Sequence, residues 1–242
     1  MARYHAAVLM TRMEQYEQAL ETLGEFAGEG DDNPRVIEAM GLATLRMPLL
    51  PIEAPPDRRE MVLMAGRASY MMATRNTAAS EKAFEALASR YPETQNVHYA
   101  YAVFLLQEKP DKAIEEFKRE LELQPGHPWS LMQIAYEYLK RGDGPSALPW
   151  AQQAVAAAPN AFPARKALGQ ALLETGDIAG AIKELQLGIT LAPDSPGLHF
   201  QLARAYQRAG RAEDAARERD EFTRLDRLAR TQRSGAQSVG GR

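Results

Sequence analysis

The feature of this sequence that most restricts its fold is a regular spacing of 34 residues between chemically similar positions. Pro125, Pro159 and Pro193 keep this spacing of 34, and each lies between two stretches rich in helix-forming residues. Three further sets keep the same interval: the alanines Ala113, Ala147, Ala181 and Ala215, the glycines Gly142, Gly176 and Gly210, and the pairs Ile134-Ala135, Leu168-Gly169 and Leu202-Ala203. Because proline ends a helix and glycine permits a sharp turn, this spacing predicts a repeated unit of two helices.

One complete period illustrates the predicted unit. Its segments are the first helix Phe162–Thr175, the turn Gly176-Asp177 and the second helix Ile178–Leu191, closed by Pro193. Gly169 and Ala181 are small residues on the two facing helices. They allow the helix axes to approach at the short end of the usual range of about 8–10 Å.

The repeated segments resemble tetratricopeptide repeats, whose pattern is W-x2-L-G-x2-Y…A-x3-F…P over about 34 residues. Three segments carry the resemblance most clearly, through Leu131, Ile134-Ala135, Tyr138, Ala147 and Pro159; Leu168-Gly169, Leu172, Ala181, Leu185 and Pro193; and Leu202-Ala203, Tyr206, Gly210, Ala215 and Phe222. The segment from Thr94 matches with Val97, Ala100, Phe104, Ala113, Phe117 and Pro125, although Glu108 replaces the turn glycine. The resemblance implies an all-α, right-handed superhelical solenoid of antiparallel helix pairs.

The predicted organisation follows from this register. It comprises an N-terminal repeat at 1–33, a degenerate repeat or proline-rich insertion at 34–60, a divergent repeat at 61–93, repeats at 94–127, 128–161 and 162–195, a terminal repeat with a long capping helix at 196–230, and a disordered tail at 231–242. Within 34–60, the prolines Pro48, Pro51, Pro55 and Pro56 exclude a second helix, since each removes a backbone donor. We favour the degenerate repeat over the insertion.

The two ends of the chain differ in polarity. The helix expected over 211–230 is heavily charged and includes acid–base pairs at Glu213/Arg217, Asp220/Arg224 and Asp226/Arg230, as a capping helix requires. The first helix is instead apolar, with Ala6, Ala7, Val8, Leu9, Met10 and Met13. We expect either that the chain is a piece of a longer array or that this end meets a partner, including a second copy of the chain.

Composition and motifs argue against catalysis. The chain has 242 residues, no cysteine, and a net charge of −3, so neither a disulfide nor a global field for nucleic acid is expected. His5, His98, His127 and His199 form no metal-binding spacing, and no phosphate-binding loop or nucleophile motif is present. We therefore predict a protein that is not an enzyme, with no cofactor, no metal and no nucleic-acid partner. Cytoplasmic location is expected, or export if a signal segment precedes this sequence.

The predicted binding surface is the stripe of the first helices that internal packing leaves over. The resemblance implies that this stripe lines the concave face, where family members bind peptides. The predicted residues are His98, Trp129, Met132, Tyr136, Lys140, Lys166, Gln170, Phe200, Arg204 and Arg208. Aromatic and methionine side chains beside lysine and arginine suit a protein or peptide with apolar and acidic side chains.

Two functions are compatible with these observations. The first is a non-catalytic scaffold that binds a partner peptide or helix in its groove. The second is a regulatory or substrate-recruiting arm of a larger enzyme, such as a glycosyltransferase with repeats of this kind. The partner, the oligomeric state and the pathway are not encoded in a readable form.

Overall fold

The computed structural model describes the backbone of residues 2–30 and 32–239 and the side chains of 2–30 and 32–231. The described residues form α-helices and two short 3₁₀ turns, without a β-strand. The chain divides into two compact units, Met1–Pro125 and Gly126–Arg242. The prediction of an all-α fold of helix pairs is confirmed.

The first unit consists of seven helices in its described residues, and neighbouring helices in the sequence pack against one another. They are α1 (Ala2–Arg12), α2 (Tyr16–Gly28), α3 (Pro34–Thr44), α4 (Arg59–Ala73), α5 (Thr77–Arg90), α6 (Val97–Leu105) and α7 (Pro110–Leu123). Helices α1 and α2, α4 and α5, and α6 and α7 form three successive pairs, while α3 packs mainly on α4.

The second unit contains three helix pairs in its described residues. They are α8 (Pro128–Lys140) with α9 (Gly144–Ala157), α10 (Phe162–Thr175) with α11 (Ile178–Leu191), and α12 (Pro196–Arg208) with α13 (Ala212–Val239). Helices α7, α9 and α11 each end two residues before the proline of the 34-residue set, so the predicted stops are confirmed.

The turns between paired helices use the predicted glycines. Gly142, Gly176 and Gly210 have φ angles of +71°, +93° and +71°, a region that residues with a Cβ seldom adopt. After two of them an aspartate begins the next helix: the carboxylates of Asp143 and Asp177 accept hydrogen bonds from the backbone N–H three residues later, at 3.0 and 2.9 Å. The Gly-Asp sequence therefore ends one helix and caps the next.

The small residues have the packing role that the sequence predicts. A Cβ added at Gly169 would lie 2.5 Å from Cγ of Leu185, so this leucine of α11 fills the space beside α10. Ala181, at the start of α11, is fully buried in the same core as Leu185 and Leu198. The absence of side-chain volume at these positions sets the distance between the paired helices.

The proline-rich segment contains a first helix without an α-helical partner. After α3 the chain reaches Arg46, whose φ of +52° matches the turn residues Glu14 and Arg75 at the ends of α1 and α4. No second α-helix follows α3, as the prolines predict, and the segment forms two 3₁₀ turns, Pro51–Glu53 and Pro56–Arg58. The repeated turn geometry at Arg46 supports a degenerate repeat that has lost its second helix.

Because no α-helix lies between them in the sequence, α3 packs directly against α4. A Cβ at Gly41 would lie 1.9 Å from the carbonyl oxygen of Val62, and one at Gly66 would lie 1.9 Å from that of Ile37. The two backbones thus meet at a pair of glycines, one on each helix.

The last helix is long and charged, as predicted, but its ion pairs differ in detail. Arg230 pairs with Asp226 at 2.8 Å, as expected, whereas Arg217 pairs with Asp214 and Arg224 with Glu221, each three residues away. The spacing of three and the spacing of four both place side chains on one helix side, so the sequence did not decide between them. Of the predicted disordered tail, residues 231–239 have helical backbone, since no proline interrupts α13, and 240–242 lie outside the described residues.

We predict that Gly66→Ala lowers the free energy of unfolding by about 1–3 kcal/mol, because its methyl group would overlap the Ile37 carbonyl. Gly28→Ala in the same unit is the matched control, since a Cβ there meets no atom within 4 Å. Urea denaturation followed by circular dichroism measures both. Equal effects of the two substitutions would contradict the direct crossing of α3 and α4.

Candidate binding surface

The first helices of the second unit lie side by side. Helix α10 contacts both α8 and α12, in addition to its own pair partner α11. Five residues of these three helices form a connected polar surface, which we call the first-helix face: Tyr136, Lys166, Gln170, Gln201 and Arg204.

Tyr136 and Lys166 form one end of the first-helix face. The Tyr136 hydroxyl donates to the carbonyl oxygen of Pro163 at 2.8 Å, and this bond joins α8 to α10. The Lys166 ammonium lies 5.2 Å from the centre of the Tyr136 ring, a cation–π contact. Burial raises the pKa of Tyr136 and lowers the pKa of Lys166, since in each case the charged form is poorly solvated.

Lys166 has no carboxylate partner among the residues that the structure describes. On the side of α12, the Lys166 side chain packs against Gly197: a Cβ there would lie 3.6 Å from the ammonium nitrogen, at van der Waals distance. A partly buried ammonium without a counterion is costly, so a negative group brought to this position would be stabilised.

Amide side chains connect the rest of the first-helix face. The Gln201 amide donates to the Gln170 oxygen at 3.1 Å, and Gln170 in turn donates to Glu174 at 3.1 Å. Arg204 donates to the Gln201 oxygen at 3.0 Å and remains exposed. These bonds fix which way each amide points, and they leave the guanidinium of Arg204 directed toward solvent. Glu174, which the sequence analysis missed, lies one turn after Gln170.

Three predicted residues lie near the first-helix face but are used elsewhere. Met132 is buried, with 3% of its surface exposed, and therefore belongs to the core rather than to a binding surface. Arg208 donates to the carbonyl oxygen of Leu173 and completes the C-terminal turn of α10. Lys140 is exposed and pairs with Glu137 on its own helix.

Two of the predicted aromatic side chains lie at the surface. Trp129 is 37% exposed and Phe200 is 44% exposed. The Phe200 ring packs against Phe222 of α13, with 5.4 Å between ring centres. Both rings offer apolar area that a partner could cover, although Phe200 faces the second helix of its pair.

His98 does not fit the prediction of a surface ligand. It is buried in the first unit, and both ring nitrogens are bonded, to Glu116 at 2.7 Å and to the carbonyl oxygen of Pro92 at 3.0 Å. Helical spacing placed His98 on the stripe predicted to bind a partner. In the structure, its side chain instead contacts a carboxylate of α7 and a backbone carbonyl oxygen.

A second surface lies in the first unit, where α1, α3 and the proline-rich loop enclose a cavity of about 910 Å³. Leu9 and Ile52 line it and are 56% and 92% exposed. Apolar side chains are therefore exposed at this end of the unit. Self-association through the N-terminal repeat stays a prediction.

The described residues contain no cluster of His, Asp and Glu side chains that could hold a metal ion. A search of the same part of the chain finds no helix with the length and apolar character that crossing a membrane requires.

The comparisons with known proteins agree with the helix-pair architecture. The sequence model of the tetratricopeptide repeat matches residues 57–128 and 132–196, more than half of the chain. The chain belongs to the tetratricopeptide repeat family. The match begins just before α4 and ends at the start of α12, so α3 lies outside it.

Solved structures share the fold at low sequence identity. MamA from Desulfovibrio magneticus RS-1 is 20% identical, with 70% of this chain and 96% of that chain covered and a TM-score of 0.63. Another MamA structure is 14% identical, covering 68% and 96% of the two chains with a TM-score of 0.61. YrrB, described as a tetratricopeptide repeat protein with an unusual peptide-binding site, is 15% identical, with 68% and 86% covered and a TM-score of 0.58. A search of the curated proteins finds none that matches the sequence.

We predict that Tyr136→Phe lowers the free energy of unfolding by about 1 kcal/mol, because the Pro163 carbonyl loses its donor. Tyr138→Phe on the same helix is the control, since the Tyr138 hydroxyl makes no hydrogen bond within the described residues. Urea denaturation measures the difference. Indistinguishable unfolding of the two variants would show that the bond between α8 and α10 contributes nothing.

Proposed function

We propose that the protein is a non-catalytic scaffold whose first-helix face binds a segment of another protein that carries apolar and acidic side chains. The observation that carries the proposal is Lys166, a partly buried cation without a carboxylate partner in the described residues. A partner carboxylate would regain the solvation that the Lys166 ammonium has lost.

The neighbouring residues define the rest of the partner. Arg204 offers a second cation at the exposed end of the Gln170–Gln201 network, so a second acidic residue of the partner has a place to bind. The Tyr136 ring and the exposed part of Trp129 offer apolar area on α8. Aromatic and arginine side chains of this kind often carry much of the binding energy at protein interfaces.

The amide network supports binding rather than only packing. Because Gln170 and Gln201 are already bonded to each other, the side chains lose little freedom when a partner arrives. The similarity to YrrB shows a shared fold, and the peptide-binding site in its description is a property of that protein.

The test is selection from a displayed random-peptide library, with measured affinities for the enriched peptides. For the wild type we expect enrichment of peptides with Asp or Glu among apolar residues. The double variant Lys166→Glu/Arg204→Glu should bind them at least about tenfold more weakly, equivalent to about 1.4 kcal/mol.

The matched control reverses two exposed cations on second helices, Lys183→Glu and Arg219→Glu, which changes the net charge equally. This control should bind like the wild type, and circular dichroism should show equal helicity in all three proteins. Enriched peptides without acidic residues, or equal losses in both double variants, would rule out the first-helix face as the binding site.

A further inference from the structure

His98 occupies a position in which both ring nitrogens face hydrogen-bond acceptors. Nδ1 lies 2.7 Å from a carboxylate oxygen of Glu116, and Nε2 lies 3.0 Å from the carbonyl oxygen of Pro92. A carbonyl oxygen cannot donate, and the second oxygen of Glu116 already accepts from Arg119 at 2.9 Å. A neutral imidazole has a single N–H, so only the imidazolium cation satisfies both contacts.

The same arrangement occurs in the second unit. Nδ1 of His199 lies 2.7 Å from Glu218, and Nε2 lies 2.9 Å from the carbonyl oxygen of Pro193. In both cases the histidine follows the proline by six residues, and the carboxylate comes from the second helix of the same pair.

A permanent cation occupies this position in the repeat 162–195, whereas in the repeat 128–161 the residue six after Pro125 is the buried Leu131. Arg165 donates from Nε to the carbonyl oxygen of Pro159 at 3.0 Å and from Nη1 to Glu184 at 2.6 Å. Arginine stays charged at all accessible pH values, and it makes the same two bonds as the histidines. In the three repeats where this position is polar, the side chain bonds both a proline carbonyl and a glutamate.

We propose that His98 is an imidazolium cation in the folded protein, and that its repeat loses stability as pH rises and this proton leaves. The repeat held by Arg165 keeps its bonds over the same range. This proposal concerns the folding of the repeats and does not depend on the proposed function.

The charges around His98 favour the cation. Helix α5 contributes Glu85, and α7 contributes Lys112, Glu115, Glu116, Arg119 and Glu120. Four carboxylates thus face the ring together with two cations. Around His199, α13 contributes Glu221 in addition to Glu218.

The hydrogen bond to Glu116 raises the pKa of His98, and burial of the ring opposes this effect. Since the folded pKa lies above the unfolded value of about 6.5, the stabilisation is complete below that pH. It is lost as pH rises through the folded pKa. His127, whose Nδ1 accepts from the backbone N–H of Ser130, is present in every variant. Variants must therefore be compared with the wild type at each pH.

The experiment measures urea unfolding of the full chain between pH 5.5 and pH 8.5, for the wild type and for His98→Arg. We expect the ratio of the wild-type folding constant to that of the variant to fall as pH rises. At most, this ratio falls about tenfold per pH unit for each proton released. The reciprocal variant Arg165→His should steepen the pH dependence relative to the wild type. Parallel curves for all three proteins would overturn the proposal.

A second measurement keeps the proposal testable if the arginine variant fails to fold. Nitrogen-15 NMR of the wild-type histidine rings, with His98 assigned by comparison with His98→Gln, reports which nitrogens carry protons at pH 7. We expect two protonated nitrogens for His98. A single protonated nitrogen at that pH would overturn the assignment of the ring as a cation.

Discussion

The close approach of neighbouring helices at small residues is the interaction on which each unit depends. Leu185 packs into the space that a side chain at Gly169 would occupy, and the backbones of α3 and α4 meet at Gly41 and Gly66. A single helix pair leaves one apolar side uncovered, and the next helix in the unit covers it. The positions of the small residues therefore decide which helices meet.

Polar contacts add specificity to this packing. The glutamates at 116, 184 and 218 each reach from a second helix to a histidine or an arginine on the first helix, and that side chain also bonds the carbonyl of the preceding proline. Buried polar groups are tolerated because their partners are complete. Lys166 differs, because no carboxylate of the described residues pairs with it and burial lowers its pKa.

The sequence predicted the local structure well and the site only in part. Turns at Gly142 and Gly176 and helix ends before Pro159 were readable because backbone geometry depends on the residue itself. Helical spacing placed Tyr136, Lys166, Gln170 and Arg204 correctly near one surface. It failed for Met132 and His98, which are buried. The stripe predicted to bind a partner borders the buried stripe of the same helix, and the angle to the next helix decides on which side of that border a residue lies.

By itself, the sequence determined that the chain folds as repeated helix pairs, because period, turn residues and helix stops all act locally. The tertiary structure alone decided that α3 crosses α4 without a second helix between them, since this depends on two glycines meeting from separate helices. It also decided which cations are already paired. Pairing at His98 and Arg165 involves a backbone carbonyl and a glutamate on the next helix, and only folding brings three such groups within hydrogen-bond distance.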